Sequence, residues 1–372
     1  MNRRLTVLLL LVIIALLLPL TVEASSIIDS GNCGSSASFT LDEEGMLIIT
    51  GTGMVYANPV PWDPSLVKSV QILDGISSIG NSVFKDCSNL ENVILPDSVT
   101  WIGMSVFNGC SSLKSIVLPK RLTSIGAGAF SNCSSLTDIV IPESVTELGS
   151  DFFGGCTSLS SFSFPSGVTS IPSGFFSRCS SLTEFVIPDN ITSIGDRAFS
   201  ECSNLVDIHI PESITSIGNS AFYYCTSLNS IHIPNSVTSI GSSAFAACSS
   251  LSEITIPDSV TRIGYSAFSG CTNLKSIVIP DSVVEYAFIP DNVSVPDQSL
   301  TRMFGGCSNL KSVTLPSGLK KIGNQEFDGC SKLTEINIPN SVTSIGEYAF
   351  SHCVNLRKMA HLQPGWVTGS AK

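Results

Sequence analysis

The chain has 372 residues, a formal net charge of −11 and only 13% charged side chains. Residues 25–300 carry 9 basic and 25 acidic side chains, whereas residues 301–372 carry 8 basic and 4 acidic ones. Because an acidic body repels phosphate, this balance argues against nucleic acid as a partner. The length alone would suit two globular domains, but the internal period described below favours one elongated domain.

Residues 1–24 have the pattern of a secretory signal peptide. Two arginines precede an apolar run from Val7 to Leu18, and Val22-Glu23-Ala24 offers small residues for cleavage. A retained membrane anchor is the less favoured alternative, because the run is short for a spanning helix and ends at Pro19. The sequence therefore predicts an extracellular protein, secreted or attached to a cell surface, without a membrane span after cleavage.

Residues 25–63 are predicted to form an N-terminal cap with a β-hairpin. Phe39 and Leu41 alternate with polar residues before the turn at Asp42-Glu43-Glu44-Gly45, and Leu47 and Ile49 do so after it. Such a cap would cover the open edge of the stack of repeats that follows.

From residue 64 to 359 the chain consists of 23-residue repeats. One repeat position is cysteine at Cys87, Cys110, Cys133, Cys156, Cys179, Cys202, Cys225, Cys248, Cys271, Cys307, Cys330 and Cys353. Thirteen extra residues between Cys271 and Cys307 indicate an insertion at about 284–296, either a protruding loop or a short irregular coil. Residues 360–372 are assigned to a C-terminal tail.

Each unit reads C-S-x-L-x-x-I-x-I-P-x-S-V-T-x-I-G-x-x-A-F-x-x, as in the stretch from Cys202 to Tyr224. The alternation of Ile208 and Ile210 predicts a strand that ends at Pro211, and Ala221-Phe222 predicts a short helical turn that closes the coil. Because one unit buries almost nothing alone, units must stack. The predicted fold is a β-rich right-handed solenoid with a parallel β-sheet face, short helical turns and a small N-terminal β cap.

One repeat departs from the pattern at the corner that precedes the closing turn. Pro172 stands where other units have glycine, such as Gly218. Proline cannot adopt a positive φ. Either this corner never needs a positive φ, or the coil is remodelled there.

The unit resembles the BspA-like, Treponema-type leucine-rich repeat, which has the same L-x-x-I-x-I-P-x-S-V-T-x-I-G-x-x-A-F-x-x-C pattern. The resemblance covers about 300 residues, and Gly31-Asn32-Cys33-Gly34, Gly51-Thr52-Gly53-Met54 and Pro61-Trp62 resemble the cap that often precedes such arrays. It implies a surface or secreted protein of the adhesin type, without fixing a ligand. The insertion, Pro172 and the lack of a recognisable cell-wall anchor depart from the pattern.

The cysteine ladder is predicted to consist of free, buried thiols. Thirteen cysteines in a secreted protein usually suggest disulfides, but parallel side chains in register reach the required torsion poorly. Cys33 in the cap could pair or stay free. A catalytic cysteine is not expected, because catalysis needs one thiol activated by one base.

Outward-facing strand positions are the candidate ligand-binding site. They form one polar column and one mixed column, with the candidate residues Asp138, Glu184, Asp207, His209, Ser230, His232, Glu253 and Thr255. The simpler hypothesis is that this is a solvated sheet face whose β-branched residues suit strands. The more specific hypothesis is an adhesive face, on which exposed valines are flanked by carboxylates. His209 and His232 on adjacent units are a weak candidate for a divalent metal site such as zinc.

The sequence predicts no enzyme and no cofactor. The S-x-x-K match at Ser111 to Lys114 recurs at the same repeat phase from Ser308 to Lys311, which marks it as scaffold. The favoured hypothesis is a binding scaffold that engages an extracellular protein or glycan on host, matrix or microbial surfaces. A structural surface spacer without a specific ligand is the alternative.

Overall fold

The structure, a computed structural model, describes residues 25–56, 59–288 and 302–360. The predicted signal peptide, most of the predicted insertion and all of the predicted tail except Ala360 lie outside these residues. Within them, the 23-residue period becomes a stack of coils, here called rungs. No helix in the described part of the chain is both long and apolar enough to cross a membrane.

Every rung except the one that contains Ser163 contributes a first strand to one side of the stack. The first strands are β5 Ser69–Ile72, β7 Asn92–Ile94, β9 Ser115–Ile116, β11 Asp138–Ile139, β12 Glu184–Val186, β14 Asp207–His209, β16 Ser230–His232, β18 Glu253–Thr255, β20 Ser276–Val278, β22 Ser312–Thr314, β24 Glu335–Asn337 and β26 Lys358–Ala360. Where they are hydrogen-bonded they pair in parallel and in register, as Ile208 of β14 does with Phe185 of β12. Equivalent residues therefore lie side by side in columns.

A second strand follows at the next corner of most rungs. The second strands are β4 Gly53–Val55, β6 Ile76–Ile79, β8 Trp101–Ile102, β10 Ser124–Ile125, β13 Ser193–Ile194, β15 Ser216–Ile217, β17 Ser239–Ile240, β19 Arg262–Gly264, β21 Glu285–Phe288, β23 Lys321–Ile322 and β25 Ser344–Ile345. They form separate parallel ladders, the longest of which runs from β13 through β15, β17 and β19 to β21. The predicted parallel solenoid of leucine-rich repeats is confirmed.

The closing segments are tight turns rather than helices. Among the described residues the one helical element is the short 3-10 helix Pro64–Leu66. In a typical rung, Ser220 and Tyr224 have φ of 53° and 60°, which interrupts a helical backbone. Their amides donate instead to the next rung, as does that of Phe222, which reaches the Ala244 carbonyl at 2.8 Å.

The core is a set of continuous buried columns. The predicted inward residues Cys202, Leu205, Ile208, Ile210 and Phe222 are all at most 3% exposed. The phenylalanine rings stack along the axis, and those of Phe222 and Phe245 have centroids 5.5 Å apart and planes within 4°. Offset stacking of this kind adds to the burial of apolar area, so each rung is stabilised mainly by its neighbours.

The N-terminal strands close one end of this core. Strands β1 (Ile27–Asn32), β2 (Ala37–Asp42) and β3 (Met46–Gly51) pair antiparallel, and β3 then pairs in parallel with β5. The Trp62 ring lies 6.0 Å from that of Phe84 and covers the first phenylalanine of the stack. Phe39 packs edge-on against Trp62 at 5.1 Å.

A glycine corner follows most second strands and brings the backbones of adjacent rungs into close contact. Gly218 has no positive φ, but a Cβ on it would lie 2.6 Å from the backbone nitrogen of Asp196. Glycine is therefore required by contact with the preceding rung and not by its φ. Its amide also donates to the Ile194 carbonyl at 2.9 Å.

Pro172 shows what happens without glycine. Proline has no amide to donate to the preceding rung. The second-strand ladder bridges Ile125 to Leu148 and resumes from Ile171 to Ile194, with no bridge described between Leu148 and Ile171. Both readings of the anomaly are therefore correct, since the corner needs no positive φ and the coil is remodelled at this rung.

The thirteen extra residues do not break the stack. Strand β20 pairs directly with β22, with Ser276 opposite Ser312. Residues 289–301 lie outside the described part, so both forms predicted for the insertion are still open.

Candidate functional site

All eight predicted face residues lie exposed on first strands. Every three-residue first strand except β26 has the pattern exposed, buried, exposed, so Asp207 and His209 face solvent while Ile208 enters the core. Glu184 pairs with Asp207, and Ser230 pairs with Glu253. Because paired residues in a parallel sheet are about 4.8 Å apart, Glu184 and Asp207 bring two carboxylates close together.

An apolar column runs beside these carboxylates. The valine stripe, defined as Ile94, Val117, Val140 and Val186, contains side chains that are 58%, 83%, 74% and 69% exposed. Ser163 interrupts it in a rung that has no first strand. Asp138 and Glu184 border the stripe, and Asp207 and Glu253 continue the acidic column beyond its end, so the face is an apolar surface with an acidic margin.

The histidine pair lies on neighbouring strands, with His209 on β14 and His232 on β16. Within the described ranges, no three His, Cys, Asp or Glu side chains are grouped closely enough to hold a metal ion. The geometry therefore adds nothing to the weak metal candidate. Thr255 lies opposite His232 and continues this column with a hydroxyl group.

The described cysteines are free and buried thiols. From Cys110 onwards, each repeat thiol donates to the carbonyl of the phenylalanine 26 residues earlier, or 39 across the insertion, as Cys225 does to Phe199 at 3.1 Å. Burial raises the pKa of Cys202 and that of Cys248 to about 12. Because the thiolate is the reactive form, these groups are chemically inert in the folded protein.

Cys33 lies in the cap and is also buried. Burial raises the pKa of its thiol to about 11. Like the ladder cysteines, it is therefore unsuited to nucleophilic chemistry at neutral pH.

A second surface, which the sequence reasoning did not single out, lies on the closing turns. Two adjoining cavities of about 410 and 460 Å³ share the lining residues Asp151, Arg197, Ser220 and Ser243. Tyr265 lines the first cavity and Tyr223 the second. We call this surface, defined by these six residues, the turn groove.

The groove arises from the small residues around one long side chain. Arg197 occupies a column whose neighbours are Gly174 and Ser220, so its side chain projects from a recessed surface. Gly174 lies directly against the Asp151 carboxylate, where a Cβ would clash with its Oδ1. An alignment of the repeats could have revealed the groove, because one long side chain, Arg197, stands between small residues at the same repeat position.

The fold and its buried columns define the class, a solenoid of leucine-rich repeats. The model of the BspA-type leucine-rich repeat region matches residues 63–183, 169–293 and 298–363. The chain therefore belongs to the BspA-type leucine-rich-repeat family, as the sequence resemblance predicted.

Solved structures agree with this assignment. A leucine-rich repeat protein from Bacteroides ovatus is 30% identical with a TM-score of 0.65, and 88% of this chain and 93% of that one are covered. One from Eubacterium ventriosum is 27% identical with a TM-score of 0.63, covering 91% of this chain and 97% of that one. The pneumococcal vaccine antigen PcpA, at 14% identity and a TM-score of 0.50, shares the fold alone, with 91% and 100% covered. No curated protein shows significant similarity.

Proposed function

We propose that this protein is an extracellular binding scaffold of the adhesin type, secreted or attached to a cell surface. It binds a protein partner through the first-strand face. The partner presents apolar side chains bordered by lysine or arginine, which match the valine stripe and its acidic margin. The exposed valine stripe is the observation that carries this proposal.

Energetics favour a partner on this face. Burying an exposed valine contributes about 1.5 kcal/mol, so contiguous β-branched side chains at this exposure are a ready source of binding energy. Among the described residues Glu184, Asp207 and Glu253 form no ion pair within the chain. Their charges are therefore available to an approaching basic surface, and they would mainly increase its association rate.

The proposed extracellular location is supported by the sequence of residues 1–24, which lie outside the described part, and by membership of the BspA-type family. A basic start and an apolar run in residues 1–24 are typical of export. An exported leucine-rich-repeat solenoid with a long exposed face is suited to binding rather than to catalysis, because no activated nucleophile lies among its buried thiols.

The test measures binding of the purified chain to a panel of extracellular-matrix proteins and to intact cells. The apolar variant combines Val117→Ser and Val140→Ser, which copy Ser163 in the same column. The charge variant combines Asp207→Lys and Glu253→Lys, which copy Lys358. The apolar variant should weaken binding about tenfold or more, and the charge variant should slow association at low salt.

The matched control carries the same charge change away from this face, as Glu44→Lys with Glu347→Lys, and should bind like the native protein. All variants must first show native thermal unfolding. If the native chain binds no member of the panel, or if both face variants bind as it does, the scaffold is a spacer and the proposal is wrong.

A further inference from the structure

We propose that the turn groove binds a neutral oligosaccharide. This site is separate from the first-strand face, so it would give the protein a second kind of ligand. The inference rests on the shape of the groove, on an unpaired guanidinium within it and on the hydroxyl-rich lining.

The groove is large enough for a few sugar rings. Its two cavities measure about 410 and 460 Å³, within the range of ligand sites in proteins, which is about 300–1,000 Å³. The two cavities lie on opposite sides of the column that contains Asp151, Arg197, Ser220 and Ser243, and each extends over several rungs. A linear ligand lying along the axis would therefore contact several rungs at once.

Arg197 is the free cation of the groove. Among the described residues it forms no ion pair, whereas the nearby Arg178 is bound to Glu201 at 3.2 Å. A guanidinium presents five donors in a planar fork, which suits adjacent hydroxyl oxygens of a sugar. Arg197 is exposed, so a ligand can reach these donors.

The carboxylates determine the charge of the ligand. The Asp196 carboxylate already accepts from the amide of Asn219 at 2.7 Å, and Asp151 stands at the other end of the recess. These two acidic groups outnumber the single free guanidinium, so an acidic sugar would be repelled. Asp151 can accept a hydrogen bond from a neutral hydroxyl.

The remaining lining completes the chemistry of a sugar site. Six of the fifteen residues that line the two cavities are serines, and Tyr265 and Tyr223 each offer an aromatic ring with a polar tip. The Ser242 side chain also lines the groove; it is 5% exposed and its hydroxyl has no hydrogen-bond partner in the structure. A rotation of this hydroxyl towards a ligand would satisfy it.

The test uses the full chain and isothermal titration with defined hexasaccharides. The neutral probes are the hexamers of β-1,4-linked glucose, xylose, mannose and N-acetylglucosamine, and the acidic probe is the hexamer of galacturonic acid. At least one neutral probe should bind with a Kd below about 1 mM, and the acidic probe should bind about tenfold more weakly or not at all.

Two variants address the groove without disturbing the turn. Arg197→Ser copies Ser220 and Ser243 in the same column and should weaken binding about tenfold or more. Ser220→Tyr copies Tyr348, which has nearly the same φ, 56° against 53°, and its ring should block the recess. Thermal unfolding checks that both variants keep the native fold.

Arg121→Ala removes an exposed arginine elsewhere and should bind sugars as the native chain does. The variant with Asp207→Lys and Glu253→Lys should also keep sugar binding, which separates this site from the first-strand face. Absence of binding by all neutral probes, a preference for the acidic hexamer, or native affinity in Arg197→Ser would each overturn the proposal.

Discussion

Replacing one glycine at the corner between rungs should strongly destabilise the solenoid. In Gly218→Ala the new Cβ would lie 2.6 Å from the Asp196 nitrogen and 2.6 Å from the Gly195 carbonyl carbon, whereas ordinary contact begins at 3.4 Å. Both atoms are backbone and cannot rotate away. The two rungs must therefore separate by about 0.8 Å at this corner.

That separation would weaken two hydrogen bonds between the rungs. The Gly218 amide donates to the Ile194 carbonyl at 2.9 Å, and the Asn219 amide donates to Asp196 Oδ1 at 2.7 Å. Overpacking of this kind usually costs about 1–3 kcal/mol, and each stretched hydrogen bond adds up to about 1 kcal/mol. We expect Gly218→Ala to lower the free energy of unfolding by about 3 kcal/mol.

The assay is urea denaturation followed by circular dichroism, with hydrogen exchange to locate the weakened rungs. Because stability in a solenoid is shared between neighbours, exchange should increase first around Gly218. Gly318→Ala is the control, since nothing lies within 4 Å of its added Cβ. It should be neutral or slightly stabilising. Unchanged stability and exchange in Gly218→Ala would refute the reasoning.

Three further predictions concern the cap, the thiols and a strained turn. Trp62→Ala should lower the free energy of unfolding by about 3–5 kcal/mol because it uncovers Phe84, whereas Trp62→Phe should cost under about 1.5 kcal/mol because the buried indole N–H has no partner; urea denaturation measures both. Apart from Cys353, the ladder thiols have a folded-state pKa raised above the ordinary 9.0, to about 12 at Cys202 and Cys248, so the contribution of these thiols to stability is complete below pH 9 and is lost as the pH rises towards 12. Urea midpoints at pH 7 and pH 10 should therefore differ markedly, and unchanged midpoints would contradict the burial of the thiols. Ala247→Gly should raise the free energy of unfolding by about 0.5–1 kcal/mol because Ala247 has a φ of 60°, and a lower melting temperature would count against this.

The regular part of the fold was predictable because the repeat is exact in length. With a constant 23-residue spacing, parallel strands in register align equivalent residues, so the buried columns and the exposed face follow from one aligned unit. Asp207, His209 and Ile208 thus lie where the pattern placed them. Whether the exposed residues bind a ligand is still a prediction.

Other features depend on contacts between positions that are not equivalent. The thiol of Cys225 reaches the carbonyl of Phe199, and this link between two repeat positions is invisible in a single column. The closing turns were predicted as helical, but positive φ values at Ser220 and Tyr224 direct their amides to the next rung. Local residue preferences cannot distinguish a helical turn from this one, because the carbonyls that accept the hydrogen bonds belong to the next rung.

By itself the sequence therefore determined the family, the axial stack and the direction in which each strand residue faces. The tertiary structure alone decided why the corner glycines are needed and where the turn groove opens. Both depend on distances between adjacent rungs, such as the gap left by Gly174 between Asp151 and Arg197. Those distances exist only once the coils have stacked.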